Sequence, residues 1–184
     1  MILMPVMVAL FYFGFYISAA AVFLIAAFTD MLDGKIARKR GLVTTFGKFV
    51  DPLADKLINL AAIILIAVHI SKNGSVIYGV FATVTALVIV SREVIITSFR
   101  ALAASEGTVI AADKLGKIKT VFQDIAIVAL FLDASVLSNI PFAGELLHWT
   151  GAAMLAAALA LTILSGINYF AANRELVSKI KEDI

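Results

Sequence analysis

Cysteine is absent from the 184 residues, which excludes disulfides and thiolate-bound metals. Charge is scarce. Asp, Glu, Lys and Arg make up 15% of the chain, against about 25% in an ordinary soluble domain. The net charge is only +2, so no nucleic-acid partner is implied. There is no internal repeat, and no low-complexity tract beyond an alanine-rich stretch near the C-terminal end. What fills the chain instead is apolar: 62% hydrophobic residues and a mean hydropathy of +1.03. A soluble domain of this size cannot hide so much apolar surface, so the bilayer is the expected solvent. One membrane domain over 1–184 is expected, with no separate soluble module.

A spanning helix needs about 20 mostly apolar residues. The sequence predicts six segments, over 1–15, 17–37, 46–70, 76–104, 115–134 and 145–172. The expected fold is therefore all-α: a polytopic membrane protein with six transmembrane helices. Turn residues occupy the breaks at 39–45, 71–74, 105–107 and 138–141. The first segment is short. Its length reaches about 22 Å, against a hydrocarbon core of about 30 Å. The natural first helix is therefore expected to begin upstream of Met1. Cations gather at one set of helix ends, within 35–40, at Arg100, within 114–119 and within 174–181, whereas the other set carries only Lys72. The positive-inside rule puts the first set and both termini in the cytoplasm. This predicts a multi-pass protein of the cell (inner) membrane. His69, His148 and Trp149 fall at outer ends, as interface residues. The small residues of 151–160 suit close helix packing.

The informative stretch runs from Asp30 to Asp55. Asp30 and Asp33 are three apart, Asp51 and Asp55 four apart, so each pair shares a helix face. A short turn joins the two helices, which makes them antiparallel neighbours. Both pairs are then expected to point into one cavity open to the cytoplasmic side. Four carboxylates in a low-dielectric pocket repel one another unless protons or cations neutralise them. Lys35, Lys48 and Lys56 lie near, but lysines at helix ends are expected to snorkel to the interface. An all-oxygen cluster suits Mg²⁺, Mn²⁺ or Ca²⁺. Two such ions bridged by shared carboxylates serve phosphoryl chemistry. Gly34 and Gly47 remove side chains where a ligand must approach the backbone, and Arg38 offers charge-assisted hydrogen bonds to a diphosphate. Pro52 is expected to kink the helix or start a turn of it. One Asp here would read as a solvated helix end; four at these spacings point to function.

Written out, the stretch is D-x2-D-G-x2-A-R-x8-G-x3-D-x3-D, from Asp30 through Asp33, Gly34, Ala37, Arg38, Gly47 and Asp51 to Asp55. It resembles the signature of the CDP-alcohol phosphotransferase family at all eight fixed positions. The resemblance extends over nearly the whole chain. It looks closest to the bacterial members that make phosphatidylglycerophosphate, through 42–56 (LVTTFGKFVDPLADK), 91–93, 115–120 and 165–170. It implies that Asp30, Asp33, Asp51 and Asp55 bind two divalent ions, Mg²⁺ or Mn²⁺. It implies that Asp33, Gly34, Ala37, Arg38, Gly47 and Asp51 line the site for the CDP-lipid. Asp55 would also be the general base. It takes the proton from the acceptor hydroxyl, which attacks the β-phosphorus of CDP-diacylglycerol and releases CMP. The implied acceptor is sn-glycerol 3-phosphate, and the implied assembly a homodimer among membrane lipids. Family members usually begin with a short cytoplasmic segment containing Pro-Asn and an Arg. This chain starts after that point.

Arg92 and Glu93 interrupt an apolar run. Two readings stand: a buried pair with structural partners, or Arg92 facing the cavity to bind the acceptor's phosphate. Arg100 lies about two turns further along a similar face. Lys117 and Lys119 are explained by snorkelling and topology, or they join Arg92 and Arg100 in a basic pocket. An anionic acceptor beside four Asp residues needs such a counter-charge. Asp113 and Lys114 are expected in a solvated loop. Asp124 is expected one to two turns into helix five, paired with a basic group. Tyr169 either bonds a ligand or anchors the interface. Two rivals remain. One is a sibling transferase using inositol phosphate, serine or phosphatidylglycerol. The other is an ion or proton transporter, which explains intramembrane Asp but not the glycines, Arg38 or the fixed spacing.

Overall fold

The structure, a computed structural model, describes residues 3–40, 45–105, 110 and 114–174, with side chains for these except 30–40, 45–55, 105 and 114. Six α-helices and one 3₁₀ turn follow in order, and no strand occurs among the described residues. The first helix, α1 (Leu3–Tyr12), has ten residues and rises about 15 Å. It stops short of the expected Phe15 because Gly14 takes φ +81°. The Gly14 amide donates to the Phe11 carbonyl at 3.1 Å and the Phe15 amide to that of Leu10 at 2.9 Å. That pair of bonds is a Schellman stop, for which glycine is the cheapest residue. The chain then turns directly into α2 (Tyr16–Arg40), which runs three residues past its expected end at Ala37.

Next come α3 (Thr45–Asn73) and α4 (Val76–Ser105). Pro52 does not start α3, which begins seven residues earlier and continues past it. The apparent break after Ile70 is helical through Asn73, and the Gly74 amide still bonds the Ile70 carbonyl at 2.8 Å. Helix α5 covers Lys114–Asp133. Ser135 then caps a 3₁₀ turn, Val136–Asn139, through the Leu137 amide. Helix α6 (Pro141–Ala172) begins four residues before the expected Glu145. Pro141 had read as a breaker. In the first turn of a helix its missing N–H costs nothing, so it opens α6 instead.

The core is built from all six helices. Phe11, Phe23, Ile63, Ile89, Phe131 and Leu155 are buried together, one from each. The widest contact joins α5 and α6, followed by α3 with α4 and α1 with α2. Small residues set the α5–α6 distance: a Cβ added at Gly151 would lie 2.6 Å from the Leu130 side chain. The outside is also apolar. Along α4, Val80, Val84, Leu87 and Val94 are exposed at helical spacing, the reverse of a soluble protein. Among the described residues three helical segments are long and apolar enough to cross a membrane: Lys56–Asn73, Val76–Ala104 and Pro141–Ala172. The apolar part of α2, Tyr16–Thr29, is shorter. The described structure is thus all-α with membrane character, and among the described residues three of the six expected spans qualify by length and composition.

Candidate active site

The signature straddles the junction of α2 and α3. Asp30, Asp33, Gly34, Ala37 and Arg38 occupy the C-terminal half of α2; Gly47, Asp51 and Asp55 occupy the first turns of α3. The two helices touch. Helical backbone at both places keeps Asp30 with Asp33, and Asp51 with Asp55, on shared faces. Their side chains lie outside the described ones. As donor chemistry the set fits Mg²⁺ or Mn²⁺: four carboxylate positions, all hard oxygen, on adjoining helices. No cluster of three or more His, Asp or Glu side chains is assembled among the described residues.

Directly after Asp55 the side chains are described, and they form a charged centre. Lys56 of α3, Arg92 of α4 and Lys119 of α5 all meet Glu93 of α4. Arg92 Nη1 and Lys119 Nζ donate to the same carboxylate oxygen, Oε1, at 2.7 and 2.8 Å. Lys56 Nζ approaches the other oxygen, Oε2, at 3.4 Å. Lys56 also donates to the Thr97 hydroxyl, which is itself tied to the Glu93 carbonyl at 2.6 Å. The second Arg92 nitrogen donates to Ser165 Oγ of α6 at 3.0 Å. Three helices therefore meet at one carboxylate, whose side chain is 12% exposed, and α6 joins them through Arg92. Charges so far from water persist because they are paired; each alone would be strongly destabilising. Not every polar atom is satisfied. Arg92 Nε, Asn59 Oδ1, Gln123 Oε1 and the Tyr169 hydroxyl are buried without a hydrogen-bond partner in the structure.

This geometry sorts the expected pocket residues. Arg92 and Lys119 converge on Glu93. Lys119 is 2% exposed, so it does not snorkel. Lys56 corrects the expectation of snorkelling too, since Glu93 and Thr97 draw it inward. Arg100 and Lys117 are exposed. Asp124 lies about three turns into α5, deeper than expected. The Tyr169 ring packs edge-on to Phe99 at 6.0 Å. Asp113 and the Lys114 side chain lie outside the described residues. At the other end of α6, Trp149 is exposed. His148 does more than mark an interface: its Nδ1 lies 3.1 Å from Asp133 Oδ2. His69 stacks edge-on against Phe11 and Tyr16 and pairs with Asn73. Sequence reading missed Glu93 as the hub, with Thr97 and Ser165 as its supports. The available signal was an Arg-Glu pair inside a span.

A family model described as CDP-alcohol phosphatidyltransferase matches residues 1–164, which include every signature position, Arg92, Glu93 and Lys119. The chain belongs to this family. It is 42% identical over 161 residues to the Bacillus subtilis (strain 168) protein named CDP-diacylglycerol–glycerol-3-phosphate 3-phosphatidyltransferase, covering 87% of this chain and 75% of that one. It is 37% identical over 177 residues to a Mycobacterium tuberculosis (strain ATCC 25618 / H37Rv) protein named probable phosphatidylglycerophosphate synthase, covering 93% and 76%. A rice protein (Oryza sativa subsp. japonica) named cardiolipin synthase (CMP-forming) is 36% identical over 177 residues, covering 90% of this chain and 52% of that protein. The family match supplies the α2–α3 signature with its context and leaves the transporter reading without support.

Proposed function

We propose that this phosphatidyltransferase-family chain moves the phosphatidyl group of CDP-diacylglycerol onto sn-glycerol 3-phosphate, giving phosphatidylglycerophosphate and CMP. Homology carries the reaction class, and the names of the bacterial relatives carry the acceptor. The observation from this chain that supports a phosphate-bearing acceptor is the charged centre. Three cations lie beside Glu93, and one of them is the residue after the last signature aspartate.

The proposed roles follow the residues. Asp30, Asp33, Asp51 and Asp55 hold two divalent ions, Mg²⁺ or Mn²⁺. These supply charge neutralisation for the diphosphate and the departing CMP when bound. Asp33, Gly34, Ala37, Arg38, Gly47 and Asp51 line the CDP-lipid site. Arg38 gives the diphosphate charge-assisted hydrogen bonds. Asp55 takes the proton of the acceptor hydroxyl. The acceptor's hydroxyl oxygen forms the new bond to the β-phosphorus, and the bond from that phosphorus to CMP breaks. Arg92 and Lys119, with Arg100 and Lys117 further out, hold the acceptor's phosphate. Positioning two substrates in this way supplies most of the rate gain.

Around this site we place six spans in the cell (inner) membrane and a cavity open to the cytoplasm. The chain 1–184 acts as one domain, and a homodimer is the working unit. Phosphatidylglycerol is one alternative acceptor, and the rice relative is named cardiolipin synthase (CMP-forming). CMP release from purified protein with CDP-diacylglycerol, Mg²⁺ or Mn²⁺ and each acceptor decides between them. Release with sn-glycerol 3-phosphate alone is expected. Release with phosphatidylglycerol alone would replace the reading, and serine or inositol phosphate are the remaining arms. EDTA should abolish release, and added Mg²⁺ or Mn²⁺ should restore it.

A further inference from the structure

Glu93 is a costly residue for this place. It lies within the apolar segment Val76–Ala104, and its side chain is nearly enclosed. An enclosed carboxylate also competes with an anionic ligand for the same cations. Yet Glu93 engages all three. Its Oε1 receives Arg92 and Lys119 at 2.7 and 2.8 Å, and its Oε2 faces Lys56 at 3.4 Å. The three cations are anchored on three different helices, α3, α4 and α5. Without Glu93 they would repel one another at short range in a poorly screened place, and each would need another partner. Charge arithmetic is informative as well. Lys56, Arg92 and Lys119 supply three positive charges and Glu93 removes one, which leaves two. A phosphate monoester carries about −1.5 to −2 at neutral pH.

Arg92 is held, not saturated. One terminal nitrogen goes to Glu93 and the other to Ser165, while its Nε is buried with no hydrogen-bond partner in the structure. Its stem passes α6 at Gly166, where an added Cβ would sit at an ordinary 3.8 Å from Arg92 Cγ. The guanidinium is thus fixed by two anchors and keeps an unused donor.

We infer that Glu93 is a positioning residue for the acceptor: it gathers Lys56, Arg92 and Lys119 from three helices into a preformed cationic seat whose residual charge of two matches a phosphate monoester dianion. This rests on the proposed reading that the acceptor carries a phosphate. Because Lys56 follows Asp55 in the chain, the same carboxylate ties that seat to the last aspartate of the signature.

The test uses full-length protein in detergent, wild type and Glu93→Gln, with Glu93→Asp as the conservative variant. Two measurements are made. The first is CMP release, with KM determined separately for sn-glycerol 3-phosphate and for CDP-diacylglycerol. Glu93→Gln should raise the acceptor KM about tenfold or more and leave the CDP-diacylglycerol KM within about twofold. Glu93→Asp should recover part of the loss. Equal changes in both constants, or no change in either, would overturn the inference. The second needs no turnover: the rise in melting temperature on adding millimolar sn-glycerol 3-phosphate or inorganic phosphate. Wild type should be stabilised by both, and Glu93→Gln by neither, while CDP-diacylglycerol still stabilises both proteins. An unchanged anion response in Glu93→Gln, or none in wild type, would overturn the inference. Anion stabilisation that needs Glu93, without CMP release from sn-glycerol 3-phosphate in wild type, would instead overturn the acceptor reading and keep the seat.

Discussion

At the scale of single residues, spacing and partnership carried different information. Four aspartates three and four apart, with two glycines and an arginine between them, can be read from the chain because helix periodicity puts each pair on one face. Asp55→Asn keeps the size of that side chain and removes its basicity. It should lower CMP release about 100-fold or more while CDP-diacylglycerol binding survives, which separate rate and binding measurements will check. Near-normal turnover would remove Asp55 as the base. The charged centre was less legible. Arg92 and Glu93 stood out as charges in an apolar run, but their partners come from α3, α5 and α6, and no local spacing reports which distant lysine meets them. Lys56 shows this well. A lysine near a helix end usually snorkels, and this one is drawn inward by Glu93 and Thr97. Arg92→Ala leaves Glu93 to two lysines and removes the link to Ser165. It should raise the acceptor KM about tenfold or more, with much less effect on the CDP-lipid. Equal loss of both would place Arg92 outside the acceptor pocket.

Among the helical elements, the sequence told where helices lie better than where they end. All six segments are helical where described, since long apolar runs with few charges leave little choice. The errors sit at residues with two meanings. Gly14 ends α1 through its positive φ, and Pro141 opens α6 although proline also breaks helices. The contact between α5 and α6 was foreshadowed only as a stretch of small residues. Its particular point is Gly151, against the side chain of Leu130. A methyl group there has no room until Leu130 or a backbone moves. Gly151→Ala should therefore destabilise the bundle by about 1–3 kcal/mol, seen as a lower melting temperature or denaturation midpoint in detergent. Gly166→Ala is the control. Its added Cβ meets only the Arg92 stem at 3.8 Å, so stability should change little. Equal stability of the two variants would mean that the helices part easily at Gly151.

Across the whole molecule, the distribution of charge predicts which end of the bundle faces the cytoplasm. Cations crowd one set of helix ends, including the α2–α3 junction that bears the signature, while Lys72 stands at the far end of α3. Length constrains the answer too. Among the described residues three segments qualify as spans on their own, and one of them, Lys56–Asn73, links the signature end of α3 to Lys72. Because the protein has no cysteine, a single introduced thiol is an unambiguous reporter. Lys72→Cys should react with a membrane-impermeant maleimide added to spheroplasts. Lys39→Cys, at the signature end, should react only after the membrane is opened. Both substrates and CMP would then meet the enzyme on the side where nucleotides are made. Labelling of Lys39→Cys from outside would invert the molecule, and labelling of both from one side would mean that α3 does not cross.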